Sequence, residues 1–315
     1  MKRLLVIRFS ALGDVAMLVP LVRAAAEQNP DVAITMLSQQ RFADLFADMP
    51  ANVSFYGVNL KQQSLREIVA GLGTYELVAD MHGVWRSLYV RWRMRMKGAK
   101  VAYINKGRIS KRRLCRGRIH EPLKHTTTRY AEVFARLGIT VKFGVNPTKT
   151  PIKDRSAIGI APFAAHKGKV YPTERMERVV KMLSERGEHV ILFGGGKDEQ
   201  EVLESWAKRY KGVESVAGRK TLGEELELMR SLKVMLTMDS ANMHLASLVG
   251  TRVVSIWGAT HPNAGFLGIG QSEQDCIQRD LPCRPCSIYG NKKCKFGDYR
   301  CMDICPEQIV KHLAL

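Results

Sequence analysis

Two strand-to-helix turns hold the residues best suited to chemistry. In VMLTMDSANMHLASLVG, Asp239 and Ser240 follow a buried strand and precede a helix that begins near Ala241. The free N–H groups and positive dipole end of such a helix attract anions and suit a diphosphate. Ser240 could cap that helix and also give its hydroxyl to a phosphate, although an ordinary N-cap pair reads the same way. In the first half, Ser10-Ala11-Leu12-Gly13-Asp14 occupies the matching turn. Asp14 is there either a first-turn acid or a base able to accept a proton from an attacking hydroxyl. A third turn, Phe193-Gly194-Gly195-Gly196, permits close backbone approach but lacks the G-x-G-x-x-G spacing, so a dehydrogenase reading is weak.

Six of the seven cysteines lie between Cys276 and Cys305, with Cys283, Cys286, Cys294 and Cys301 at the centre. In a reducing compartment such spacing suggests a tetrahedral thiolate zinc site ahead of disulfides. Reduced thiols or a partial disulfide pair are the alternative, and no catalytic part is expected of them.

The elements that must position these residues alternate. Apolar, β-branched runs at 4–9, 32–37, 53–58, 76–81 and 100–104 read as strands, with helical patterns through Glu27 and at 41–48, 64–72 and 84–96. The rhythm breaks at NPTKTPIKD, Asn146 to Asp154, a linker by composition. It restarts with strands at 157–163, 189–194, 234–238 and 253–258 and helices at 173–186, 198–210, 223–231 and 241–249. Strand–helix alternation in both halves predicts two parallel sheets wound with helices, residues 1–150 and 151–315, facing a cleft. The last helix is a candidate to pack back on the first domain.

At 315 residues, with 45% hydrophobic and 25% charged residues, the chain can fill two ordinary cores, which excludes a miniprotein and a disordered tail. Lys+Arg 49 against Asp+Glu 30 leaves +19, so an anionic partner is expected. Thirteen of the basic residues fall between Arg86 and Arg118, where there is no Asp or Glu and where Trp85, Tyr89 and Trp92 lie close by. Phosphates or anionic lipid headgroups suit such a surface. No helix-turn-helix or RNP signature accompanies it, so nucleic acid is not expected. Arg8 and Asp14 interrupt the apolar start, which argues for a buried first strand over a signal peptide.

Three segments together, RFSALGDVAMLVP at the start, APFAAHKGKVYP at 161–172 and MDSANMHLASLVGTRVVSIWGATHP at 238–262, resemble the bacterial heptosyltransferases in order and spacing. The resemblance covers nearly the whole chain. It implies an α/β GT-B glycosyltransferase, two Rossmann-like domains around a central cleft, that moves a sugar from a nucleotide donor to a lipopolysaccharide core with inversion.

Residue by residue, the resemblance makes Asp14 the base and sets Lys169 against the leaving diphosphate. It makes Asp239, Ser240 and Ala241 the phosphate turn, His244 the histidine of the same helix, and Asp198 or Glu199 the ribose contact. Ser10, His82, Arg86 and Arg91 would meet the acceptor. Ala241-Asn242 stands where relatives have Gly-Pro, Ala164 and Ala165 where they have hydroxyls, and Lys220 at a position apolar in some. ADP-heptose is the expected donor, with a GDP- or UDP-sugar, or a non-catalytic basic anion-binding protein, as the alternatives. The other expected partners are an anionic lipid-linked saccharide and the cytoplasmic face of the inner membrane, met peripherally. The resemblance implies no cofactor for catalysis.

Overall fold

A computed structural model describes residues 1–142 and 155–314, so the expected linker at Asn146 to Asp154 lies outside the described residues. These residues form two compact units, one of 1–108 and 124–142, the other of 109–123 and 155–314.

The first unit carries β1 (Lys2–Ile7), α1 (Leu12–Ala16), α2 (Val19–Gln28), β2 (Val32–Gln39), β3 (Val53–Val58), α3 (Leu65–Gly71), β4 (Leu77–Asp80), α4 (Trp85–Met96) and β5 (Lys100–Tyr103). Its five strands run parallel in the order β3-β2-β1-β4-β5. β1 lies between two partners, with Ile7 opposite Leu37 on one side and Asp80 on the other. Leu4, Leu5, Val6 and Ile7 are therefore fully buried, as a parallel strand covered on both faces requires. Gln40–Phe46 is a 3₁₀ segment where the sequence predicts an α-helix.

No element is expected between residues 104 and 146, yet the structure has α5 (Arg108–Leu114) and α6 (Thr126–Arg136) there. α6 buries Tyr130, Val133 and Phe134 at helical spacing, and its cap is the His125 ring, which accepts the Thr127 N–H at 3.2 Å. A histidine cap replaces the usual Ser, Thr or Asp signal. After its first residue α5 belongs to the second unit, where Lys111 is buried with its ammonium 4.1 Å from the Phe266 ring centre. The basic run from Arg86 to Arg118, expected whole in the first domain, is thus divided between the two units.

The second unit continues with β6 (Ile158–Ala161), α7 (Thr173–Glu185), β7 (Val190–Leu192), α8 (Lys197–Arg209), β8 (Val213–Ser215), α9 (Leu222–Arg230), β9 (Val234–Met238), α10 (Ala241–Leu248), β10 (Val253–Trp257), β11 (Cys276–Gln278) and α11 (Pro306–Leu313). Its six strands are parallel, in the order β11-β10-β9-β6-β7-β8. Ile309, Val310 and Leu313 of α11 join Met176, Val179 and Leu183 of α7 in one core. The last helix therefore packs into the second unit's own core.

In each sheet the chain starts in the middle and winds outward both ways. The strand order consequently reverses between β1 and β4 in the first unit and between β6 and β9 in the second. Such reversals open a crevice at the carboxyl ends of the strands, where ligands bind in open α/β sheets.

Candidate active site

The reversal in the first unit gathers charged residues from β1, β4 and the chain that follows them. Arg8, one residue past β1, is buried and forms an ion pair with the Asp14 carboxylate in α1, while its Nη1 donates to the Met81 carbonyl at 2.6 Å. Burial opposes the guanidinium charge, but Asp14, Tyr130 and Asp80 outweigh it, so the Arg8 pKa is raised. The Asp14 carboxylate is held from a second side by the Ala11 N–H at 3.4 Å, and the Tyr130 hydroxyl donates to the Asp14 carbonyl at 3.3 Å. Arg8 and Tyr130, neither expected from the sequence, thus fix the turn that carries Asp14. Arg8 left one trace, a charge in an apolar strand; Tyr130 left none.

His82 follows β4 beside this turn. Its Nδ1 accepts the Phe9 N–H at 3.4 Å, which leaves the ring proton on Nε2, facing the Ser10 hydroxyl at 3.4 Å. Burial, then the charges of Arg8, Lys106 and Arg86, push its pKa down to about 3, so His82 is uncharged at pH 7. Lys106 is itself held below its ordinary value by burial and by Arg8 and Arg108. Arg8, Arg86 and Lys106 thus make a positively charged surround for the neutral imidazole and the Ser10 hydroxyl beside it, suited to an anionic ligand.

A histidine in the unfolded chain titrates near 6.5, so that chain binds more protons than the native one between that value and about pH 3. Stability is therefore expected to decline as pH falls through this window. In urea-unfolding series, His82→Gln should flatten that decline; an unchanged slope would mean that His82 is already charged in the native state.

Arg91 lies on the helix that follows this turn. Its Nη1 lies 3.2 Å from Asp80 and its guanidinium 4.2 Å from the Tyr103 ring centre. Asp80, fully buried, also accepts the N–H groups of His82 (2.9 Å) and Gly83 (2.8 Å) and the Ser87 hydroxyl (3.0 Å). Asp80, Ser87 and Arg91 together shape the turn that presents His82.

The reversal in the second unit brings Lys169, from the turn after β6, to Asp239 at the end of β9, 2.8 Å apart and both largely buried. Ser240 is the N-cap of α10 by backbone position but makes no capping bond; its hydroxyl lies 3.1 Å from that of Thr237. The first N–H groups of α10, from Ala241 on, thus carry no side-chain cap from Ser240, and His244 is buried one turn further on. Beyond β7, Glu199 accepts the Gly195 N–H at 2.8 Å and so braces the glycine turn, while Asp198 is exposed beside it. Of the two carboxylates paired for a ribose, Asp198 is therefore the more accessible. Lys220 is exposed just ahead of α9.

The cysteine tract packs against the Lys169 turn. All seven cysteines are free, and among the described residues no group of three or more His, Cys, Asp or Glu is arranged to hold a metal. Cys301 is buried in the α7–α11 core and Cys286 hydrogen-bonds the Ala259 carbonyl at 3.8 Å; Cys283, Cys286, Cys294 and Cys301 are not paired as disulfides.

Arg284 does the bracing. Its guanidinium reaches the carbonyls of Trp257 (3.1 Å), Gly258 and Thr260 (2.9 Å) and the Gln278 side chain (2.9 Å). This ties the tract to the end of β10. Gly290, at φ +73°, lies against the Lys169 stem, where a Cβ would fall 2.6 Å from Cγ, and the Ala259 N–H donates to the Gly168 carbonyl at 2.8 Å. Arg284→Met is expected to cost about 2 kcal/mol in urea unfolding, since charged hydrogen bonds are worth roughly 1.5–3 kcal/mol each and carbonyls would be orphaned. Cys283→Ser with Cys294→Ser should cost under about 0.5 kcal/mol, as for substitutions away from structural features; a larger loss from the serine pair would return the bracing to the cysteines.

Two parallel sheets of this topology form the two-Rossmann fold called GT-B. The solved glycosyltransferase family 9 protein of Veillonella parvula shares the fold at a TM-score of 0.75, 19% identity, and 99% and 96% coverage of this chain and that one. Escherichia coli heptosyltransferase WaaC, solved with ADP-2-deoxy-2-fluoro heptose, does so at 0.69, 17% identity, and 92% and 97% coverage. Lipopolysaccharide heptosyltransferase 3 of Escherichia coli K12 is 24% identical over 277 residues, 79% of this chain and 80% of its own. Residues 69–297 match the family model of glycosyltransferase family 9 (heptosyltransferase), and the chain belongs to that family.

Proposed function

We propose that this glycosyltransferase moves heptose from ADP-heptose, with inversion, onto an anionic lipid-linked saccharide of the lipopolysaccharide core, at the cytoplasmic face of the inner membrane. The observation that carries the reading is the pairing of Lys169 with Asp239 at one sheet reversal while Asp14 stands at the other. Asp14 takes the proton of the attacking acceptor hydroxyl, and the bond from the anomeric carbon to the diphosphate breaks on the opposite face. Lys169 and the first N–H groups of α10 receive the charge that develops on the leaving diphosphate. Positive charge from the chain itself meets the need that a metal would otherwise fill, so turnover proceeds without added cofactor. Ser10, His82 and Arg86 orient the acceptor, and Asp198 takes the ribose. The ADP-2-deoxy-2-fluoro heptose with which WaaC was solved and the lipopolysaccharide in the relative's name support this choice of substrates.

The test is transfer from ADP-heptose, GDP-mannose and UDP-glucose to a heptose-deficient lipopolysaccharide, with the product's anomeric configuration read by NMR. Product from ADP-heptose alone, of opposite configuration to the donor, is expected. Preference for another nucleotide keeps the class and changes the sugar; retention of configuration removes the part given to Asp14.

A further inference from the structure

α4 carries two faces of opposite purpose. Ser87, Val90 and Met94 are buried, the latter two in the first unit's core with Leu5, Ile7 and Val78. On the reverse side Trp85, Leu88, Trp92 and Met96 stand 66%, 49%, 51% and 71% exposed. At 100° per residue these four fall within a single stripe, Arg86 and Arg93 border it on one side, and Arg95 borders it on the other. Arg86 lies 5.3 Å from the Trp85 ring centre and Arg93 6.0 Å from that of Trp92. Water-facing stripes of this size mark a binding surface, because an exposed contiguous apolar patch is costly unless something covers it.

Charge selects the occupant. From Arg86 to Lys100 the chain has Arg86, Arg91, Arg93, Arg95, Lys97 and Lys100 and no acid; Arg91 is neutralised by Asp80, and the others are left to face outward. Two tryptophans and a methionine set between arginines match the boundary of an anionic bilayer: the rings enter the headgroup layer while the guanidinium groups meet phosphates. A second copy of this chain would bring the same positive rim against itself and be repelled. No described helix is long and apolar enough to cross a membrane, so α4 lies along the surface and not through it.

We infer that α4 is the membrane-docking element, holding the enzyme on an anionic lipid bilayer by its Trp85–Leu88–Trp92–Met96 face. The inference rests on the proposed membrane setting of the reaction and names the helix face that serves it.

Flotation of the full-length protein with vesicles of phosphatidylcholine alone, or with 3:7 phosphatidylglycerol, tests it. The wild type should float with the anionic vesicles and be released by salt. Trp85→Ser with Trp92→Ser should lower the bound fraction about 10-fold or more, with an unchanged melting temperature, both side chains being exposed. The same double variant should keep its turnover on an acceptor stripped of acyl chains. Undiminished flotation of the variant overturns the inference, as does a wild type that binds neither vesicle or that is a dimer dispersed by the two substitutions. Flotation lost in the variant while no nucleotide sugar gives product would leave α4 as the docking element and overturn only the proposed reaction.

Discussion

Asp14→Asn is expected to lower kcat about 1,000-fold, within the 10²–10⁴ range for loss of a general base, while ADP still binds at wild-type strength. The asparagine keeps size and shape but cannot hold a proton. The substitution also leaves Arg8 buried without its carboxylate, and losing one member of a buried pair costs roughly 3 kcal/mol. Thermal melts must therefore accompany the assay, with turnover measured well below the variant's midpoint. ADP titration by calorimetry separates a folded, donor-competent enzyme from an unfolding one. If Asp14 served only as the partner of Arg8 and a first-turn acid on α1, Asp14→Asn would lose stability in the same way while kcat stayed within a few-fold of wild type.

Lys169→Met carries the second large effect, an expected fall of about 100- to 1,000-fold in kcat/KM for the donor, as for removal of one preorganised group at a developing anion. A methionine keeps the stem that packs on Gly290 and removes only the charge. Because Asp239 is then buried without its cation, the single variant should also be less stable than Asp239→Asn with Lys169→Met together. Recovery of stability in the double variant without recovery of kcat/KM would separate the pair's structural part from its chemical one. Equal kcat/KM in Lys169→Met and the wild type would remove Lys169 from the donor site.

The strands and their order along the chain were legible because parallel strands buried on both faces must be almost wholly apolar, and LLVI, VAITML, VMLTM and VVSIW are. Asp14, Lys169 and Asp239 were legible from their places after strands and from the family pattern. Arg284 was not, since a buried arginine that satisfies carbonyls of a distant strand end looks, in one dimension, like any loop arginine. The burial of Cys301 in the core and the contact of Cys286 with the Ala259 carbonyl were not legible either, because cysteine spacing is a local signal. α6 was missed because the basic segment ahead of it and a histidine cap concealed an apolar spacing that Tyr130, Val133 and Phe134 do display.

By itself the sequence determined the two wound sheets, the positive charge that calls for an anionic partner, and the acids and lysine at the ends of strands, because hydrophobic period and local turn chemistry are short-range properties. Only the tertiary structure decided which charges meet. Arg8 is taken up by Asp14, Arg91 by Asp80 and Lys169 by Asp239, leaving Arg86 and its neighbours on α4 turned outward. Lys169 and Asp239 lie 70 residues apart and meet because β6 and β9 are neighbours in the sheet, and such pairing is set by the order of the strands, which no local pattern encodes.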